Sequence, residues 1–218
     1  LASMGIYVFD ADVLIDAVTR DAERTGSGRD MGGDIVPDFV RRGLAYVYDV
    51  KDNPIPGSTD RDHGYWRDVG TIDSYYDAQM DLISVHPVFN LYNYEWPIYT
   101  DHGNYPPAKF VFDSKGRVGE ALDSAVSPGV VISGGHVSHS VLSPGVQVHS
   151  YATITESVLL DFVEVGRNAT IHRAIIDKNV VVPPGVSIGV DRQHDLDRGF
   201  MVTDSGITVI GKSQEVLP

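Results

Sequence analysis

The chain has 218 residues, a formal net charge of −13 and no cysteine. The missing cysteines exclude disulfides, thiolate catalysis and thiolate zinc sites, and an acidic chain without a basic stripe is not expected to bind nucleic acid. No apolar run approaches the roughly 18–20 residues of a membrane span, so no membrane protein is expected. The lack of cysteine fits a cytoplasmic one, and the length gives core enough for one large domain or two small ones.

The opening Leu1-Ala2-Ser3-Met4-Gly5 runs at once into Ile6-Tyr7-Val8-Phe9, which reads as a chain beginning in mid-fold. Ser3–Phe9 has the character of a buried strand. Asp10 stands where it can cap a helix whose apolar stripe is Val13, Leu14, Ala17 and Val18. After a Gly/Ser-rich loop at Arg24–Asp30, the spacing of Ile35, Val36, Phe39 and Val40 predicts a second short helix that Gly43 can end. Asp30 and Asp34 flank a double glycine and are expected to cap that helix. Leu44–Val50 alternates like a strand, and Thr71 can cap a third helix burying Ile72, Tyr75, Tyr76, Met80 and Ile83. Residues 1–108 therefore read as α/β, part of a larger sheet rather than a closed domain.

The pattern changes near Pro106-Pro107-Ala108-Lys109. Residues 109–122 are expected as a linker, and residues 123–218 as an all-β domain with a C-terminal tail. From Asp123 to Val190 short β-branched pairs recur between Gly, Pro, Ser and Asn. Ser140-Val141-Leu142 returns as Ser157-Val158-Leu159 and again as Ala174-Ile175-Ile176. Val146, Val163 and Val180 follow the same step of 17, as do Ala152, Ala169 and Val186, and Val137, Ile154, Ile171 and Ile188. A period near 18 is what three hexapeptide-like sides per coil require, so a parallel β-helix with one shortened corner per coil is predicted.

Chemistry-bearing residues are few. Asp68, in Tyr65-Trp66-Arg67-Asp68-Val69-Gly70-Thr71, precedes the third helix on a loop, where α/β folds present catalytic groups. On its residues alone it reads first as a salt-bridge partner of Arg67 or a helix cap, and only second as a working carboxylate. Trp66 reads as a packing wedge beside it. Ser3 is a strand-end hydroxyl, and Lys178 a charge at a coil corner. None of the eight histidines, His63, His86, His102, His136, His139, His149, His172 and His194, stands in a zinc-binding spacing.

Several motifs in order carry a resemblance. They are Ser3–Phe9 (SMGIYVF), Asp30–Pro37 (DMGGDIVP), Tyr65–Thr71 (YWRDVGT), Trp96–Ile98 (WPI), Pro106–Val111 (PPAKFV) and Ile176–Asn179 (IDKN). Together they resemble the C-terminal half of bacterial ADP-glucose pyrophosphorylases, the glucose-1-phosphate adenylyltransferases. The resemblance implies the end of a Rossmann-like nucleotidyltransferase domain followed by a left-handed parallel β-helix. It implies an allosteric, cytoplasmic homotetramer that makes ADP-glucose and pyrophosphate from ATP and glucose 1-phosphate with Mg²⁺, toward glycogen. It gives Asp68 the role of a catalytic carboxylate on Mg²⁺ and Ser3 a contact to glucose 1-phosphate. Lys178, with Arg173 and Lys212 as neighbours, would take the phosphate of a sugar-phosphate or adenylate effector.

Residues 1–218 hold no Gly-rich nucleotide loop, so catalysis by this polypeptide alone is not expected. Two other readings stand beside this one. One is a regulatory or scaffolding subunit of the same enzyme. The other is a β-helix acyltransferase using a histidine base, for which His136 and His139 are the only close pair.

Overall fold

The computed structural model describes residues 3–101, 103–113 and 117–217. Leu1, Ala2 and His102 therefore lie outside the described residues. The chain forms two compact units, residues 1–54 and 55–218, taken here one at a time.

In the first unit, helix α1 (Ala11–Glu23) starts where expected. Asp10 caps it, its carboxylate accepting the backbone N–H of Asp12 at 3.1 Å and of Val13 at 3.4 Å. A single π-type turn at Met31–Ile35 leads into helix α2 (Val36–Arg41). Gly43, at φ 68°, ends that helix. The Gly43 N–H donates to the Val40 carbonyl at 3.0 Å and the Leu44 N–H to the Phe39 carbonyl at 3.0 Å, the paired bonds of a Schellman motif. Ala17, Ile35 and Phe39 form the small core, with Phe9 and Met31 packed against them.

The expected strands Ser3–Phe9 and Leu44–Val50 run without a ladder partner among the described residues. A strand needs a neighbour to satisfy its N–H and C=O groups, and none is paired here. Several of their apolar residues face outward accordingly, Val8 being 97% and Tyr46 95% exposed, while Phe9 stays against the small core.

The second unit is built on a three-sided parallel β-solenoid. One sheet stacks Val131–Ser133, Gln147–Val148, Glu164–Val165 and Val181–Val182. Another stacks Glu120–Leu122, His136–Ser138, Thr153–Thr155, Thr170–His172 and Ser187–Ile188. The third stacks Ala125–Val126, Val141–Leu142, Val158–Leu159, Ala174–Ile176 and Thr208–Ile210, and Met201–Val202 closes it antiparallel. The predicted ladders are the observed register: Val137, Ile154, Ile171 and Ile188 lie side by side, as do Leu142, Leu159 and Ile176. All seven are buried in one continuous core, each such side chain contributing roughly 1.5–3 kcal/mol.

Residues 109–122, expected to link the halves, carry strands of the solenoid instead. Lys109–Asp113 pairs in parallel with Val131–Ser133, and Glu120–Leu122 with His136–Ser138. The Lys-Phe-Val-Phe-Asp stretch has the β-branched and aromatic content of a strand and finds its partner one coil on.

The coil is 17 residues because one corner is short. Five residues separate His136 from its successor Val141 in the next sheet, whereas six separate Val141 from Gln147 and Gln147 from Thr153. At that corner Asp123, His139, Glu156 and Arg173 all take the left-handed conformation, with φ between 45° and 48°. Serine hydroxyls stitch it. Ser140 Oγ donates to the Ser138 carbonyl at 2.8 Å and accepts the Ser157 N–H at 3.1 Å. Ser157 Oγ repeats this with Thr155 at 2.7 Å and the Ala174 N–H at 3.1 Å. A tight turn leaves those N–H groups facing inward, and a buried serine satisfies each one. A second corner carries Gly129, Gly145, Phe162 and Asn179, again all left-handed. A Cβ on Gly145 would meet the Phe162 ring at 2.5 Å, so any side chain there would push that half-exposed ring aside.

Helix α3 (Ile72–Leu82) lies on the third sheet. Thr71 and Ser74 form its capping box. Tyr76 shares a buried cluster with Val158, Ile175 and Ile207, joined by Ile72, Tyr75 and Met80. Helix α4 (Arg192–Asp197) follows the last full coil, and its Asp195 is 1% exposed. No helix among the described residues is long and apolar enough to cross a membrane.

Candidate functional site

Asp68 sits in the exposed turn before α3. Its Oδ1 accepts the Gly70 N–H at 3.1 Å, which folds the loop back on itself. Thr71, not Asp68, caps the helix, since the Ser74 N–H donates to Thr71 Oγ1 at 3.1 Å. No ion pair joins Asp68 to Arg67 among the described residues. Both structural readings of this carboxylate therefore lapse, and it points a solvent-facing oxygen donor from a short, bonded loop. Trp66 beside it is 45% exposed, and the packed aromatic pair of the loop is Tyr65 with Phe89, 5.2 Å between ring centres.

A magnesium ion takes hard oxygen ligands and commonly binds through one or two carboxylates, completing its shell with water and substrate phosphates. Asp68 fits one such ligand. No group of three His, Asp or Glu that could hold a metal by itself occurs among the described residues.

Ser3 is exposed and locally engaged. Its hydroxyl lies 2.7 Å from the Tyr7 hydroxyl and accepts the Gly5 N–H at 3.1 Å. Asp30 caps the Met31–Ile35 turn through the Gly33 N–H. Asp34 instead bonds the Asp30 N–H and pairs with Arg24 at 2.6 Å, and these contacts hold its carboxyl below the usual range.

The three expected effector residues divide between two corners of the solenoid. Lys178 and Lys212 share one. Asp177 Oδ1 accepts the Lys178 N–H at 2.7 Å and its Oδ2 accepts the Lys212 N–H at 3.1 Å. The Lys178 ammonium reaches Asp161 at 3.0 Å, and that hydrogen bond raises its pKa. Tyr75 faces the same corner; burial, then Asp177 and Asp161, push its phenol up. Arg173 stands at the other end of the Ala174–Ile176 strand, 5.3 Å from the centre of the Tyr76 ring and 3.8 Å from Glu156.

Sequence reasoning missed Asp161 and Asp177 and placed Tyr75 only on the buried face of the third helix, although a signal existed. Asp161 precedes Lys178 by the coil period, as Glu156 precedes Arg173, so the repeat itself predicts both pairs. The histidines follow similar logic. His136 meets Glu120 at 3.0 Å, His139 meets Asp123 at 3.6 Å and His149 meets Glu164 at 2.9 Å. The His136 and His139 of the acyltransferase reading are thus each matched to an acid on the neighbouring coil. Two shallow clefts of about 290 and 310 Å³ flank Pro183 and Pro184, and none of the expected site residues lines either.

Residues 1–85 match the nucleotidyl transferase family model and residues 106–210 match that of the GlmU-like C-terminal hexapeptide. The glucose-1-phosphate adenylyltransferase of Parafrankia sp. (strain EAN1pec) is 58% identical over 97% of this chain and 51% of its own length. That of Arthrobacter sp. (strain FB24) is 62% identical over 99% of this chain and 46% of its own length. That of Leifsonia xyli is 58% identical over 100% and 53%. Through nearly its whole length the chain is similar to glucose-1-phosphate adenylyltransferases. It spans about half the length of the curated relatives it matches. The boundary between the two family matches, residues 85 to 106, falls after α3 and before the first solenoid strand.

Proposed function

We propose that this chain is the part of a glucose-1-phosphate adenylyltransferase that carries one side of the active site and a regulatory solenoid. The observation that carries the reading is similarity at 58–62% identity through 97% or more of the chain, across both family matches. In the whole protein, a phosphate oxygen of glucose 1-phosphate attacks the α-phosphorus of ATP. The bond to the β-phosphate breaks, leaving ADP-glucose and pyrophosphate, and the product feeds glycogen synthesis.

Asp68 would hold Mg²⁺ through its second carboxylate oxygen, and the bound ion would supply positive charge to offset that developing on the departing pyrophosphate. The Ser3 hydroxyl offers a hydrogen bond to glucose 1-phosphate. Lys178 and Lys212 receive the phosphate of a sugar-phosphate or adenylate effector, with Arg173 a secondary cation at the next corner. An incoming phosphate competes with Asp161 for the Lys178 ammonium. The whole protein acts as a cytoplasmic homotetramer, with the solenoid domain of this chain beginning at Lys109 rather than at residue 123.

The deciding experiment assays ATP-dependent pyrophosphate release from glucose 1-phosphate by this chain joined to its upstream domain, by fusion or in trans. Turnover that requires both parts and Mg²⁺ is expected. Absence of turnover, with effector binding retained by the 218-residue chain, would instead mark a non-catalytic regulatory subunit.

A further inference from the structure

Helix α3 is held at its first turn by residues 130 positions further along the chain. Asp73, the second residue of the helix, accepts at Oδ1 from the hydroxyls of Ser205 and, at 3.3 Å, Thr203. The two hydroxyls lie 3.0 Å apart, and Thr203 Oγ1 also accepts the Ile207 N–H at 3.2 Å. Thr203 and Ile207 are buried, so the carboxylate is gripped by an ordered turn. That turn joins Met201–Val202 to Thr208–Ile210, the last strands of the solenoid sheet beneath α3.

Asp68 lies five residues before Asp73, and the intervening backbone is bonded at successive steps. The Gly70 N–H returns to Asp68 Oδ1, the Thr71 N–H donates to Ser74 Oγ at 3.1 Å, and the Ser74 N–H donates to Thr71 Oγ1 at 3.1 Å. A displacement of the first turn of α3 is thereby carried to the Asp68 carboxylate. A metal-bearing carboxylate tolerates only a fraction of an ångström of such error.

We infer that Asp73, clamped by Thr203 and Ser205, is the positioning residue for the Asp68 loop, so that the C-terminal hairpin sets where the Asp68 carboxylate stands. The catalytic consequence rests on the metal role proposed for Asp68; the mechanical one does not. The hairpin hydroxyls donate and Asp73 accepts, so an asparagine can preserve the contact through its carbonyl oxygen while an alanine cannot.

The test uses the full-length enzyme with Asp73→Ala, Asp73→Asn, the double variant Thr203→Val/Ser205→Ala, and the combination of that pair with Asp73→Ala. Amide hydrogen exchange over residues 66–76 and the Mg²⁺ concentration for half-maximal turnover are measured beside the melting temperature. Asp73→Ala is expected to speed exchange at Val69–Thr71 and to raise the Mg²⁺ requirement by roughly tenfold or more, in line with the sensitivity of catalysis to small misplacements. Asp73→Asn should restore most of both. The hairpin pair should reproduce Asp73→Ala, and combining them should add little. Wild-type exchange at Val69–Thr71 in both Asp73→Ala and the hairpin pair overturns the clamp, and a changed melting temperature with an unchanged Mg²⁺ requirement overturns its catalytic consequence. Asp68→Asn runs as a control. Full turnover in that variant refutes the metal role, and the exchange data alone then decide the clamp.

Discussion

The phenol of Tyr76 donates to the main-chain carbonyl oxygen of Glu156 at 2.8 Å, joining helix α3 to the short corner of the solenoid. Glu156 is one of the left-handed corner residues, and its carbonyl is turned toward the helix at that position. Burial pushes the Tyr76 phenol up, which keeps it a donor through neutral pH. Tyr76→Phe should therefore lower stability by about 0.5–1.5 kcal/mol, the net contribution of a half-buried hydrogen bond. Urea denaturation measures it. A change below the error of the midpoint would show that solvent replaces the phenol.

Ser157→Ala tests the stitching of the short corner. It strands the Ala174 N–H and frees the Thr155 carbonyl, so a loss of about 1–3 kcal/mol is expected from the donor alone. The loss should exceed that for Ser124→Ala, since Ser124 is only half-buried and sits on the outermost rung.

Asp195 and Arg198 form a buried pair at 2.5 Å, and the other Asp195 oxygen accepts the Gly189 N–H at 2.7 Å and the Thr208 hydroxyl at 2.9 Å. Asp195→Ala leaves a largely buried guanidinium without its counter-charge and should cost about 3–5 kcal/mol. Asp195→Leu combined with Arg198→Leu should cost less than Asp195→Ala alone. Chemical denaturation of the two variants decides the order.

Alkaline pH should weaken the second unit. The Asp161 hydrogen bond raises the Lys178 pKa, and burial raises those of Tyr75 and Tyr76. A group whose folded pKa is raised contributes fully below its unfolded pKa and loses that contribution as pH climbs through the folded value. With unfolded values of 10.5 for lysine and 10.0 for tyrosine, stability should hold through neutral pH and fall above about pH 10. Lys178→Met should remove the lysine's share of that fall. A melting-temperature profile against pH reads both.

Two substitutions probe the proposed chemistry in the full-length enzyme. Asp68→Asn should cut turnover by roughly a hundredfold or more, as expected when several kcal/mol of metal-borne charge stabilisation is lost. Lys178→Glu sets a third carboxylate beside Asp161 and Asp177 and should raise the half-saturating effector concentration by about tenfold or more, the equivalent of one charge-assisted contact. An unchanged effector curve would remove Lys178 from that site.

The solenoid was the most legible part of the chain because a repeat writes its register into the sequence: once 17 is known, Val137 must lie beside Ile154. The helix caps at Asp10 and Thr71 were legible for a local reason, the side chain and the N–H it satisfies being two or three residues apart. The segments Ser3–Phe9 and Leu44–Val50 misled because alternation reports a strand's faces and says nothing of whether a neighbour is present to pair with it. Lys109–Asp113 was read as a linker because its partner, Val131–Ser133, lay before the point where the repeat becomes visible. At the candidate site, Asp68 stood out by its loop. Asp73 did not, since a carboxylate in the first turn of a helix is ordinary until Thr203 and Ser205 arrive beside it.

Helix α3 also acts as a gauge of solenoid length. Tyr76 holds Glu156, while Asp73, one helical turn earlier, holds Ser205 and Thr203. Between those anchors the sheet advances from Val158–Leu159 through Ala174–Ile176 to Thr208–Ile210, each rung adding about 4.8 Å. Deleting one 17-residue coil within that interval would leave every internal ladder in register yet carry Ser205 a full rung away from Asp73. The coil number on that side is fixed by a helix that contributes no strand to the solenoid.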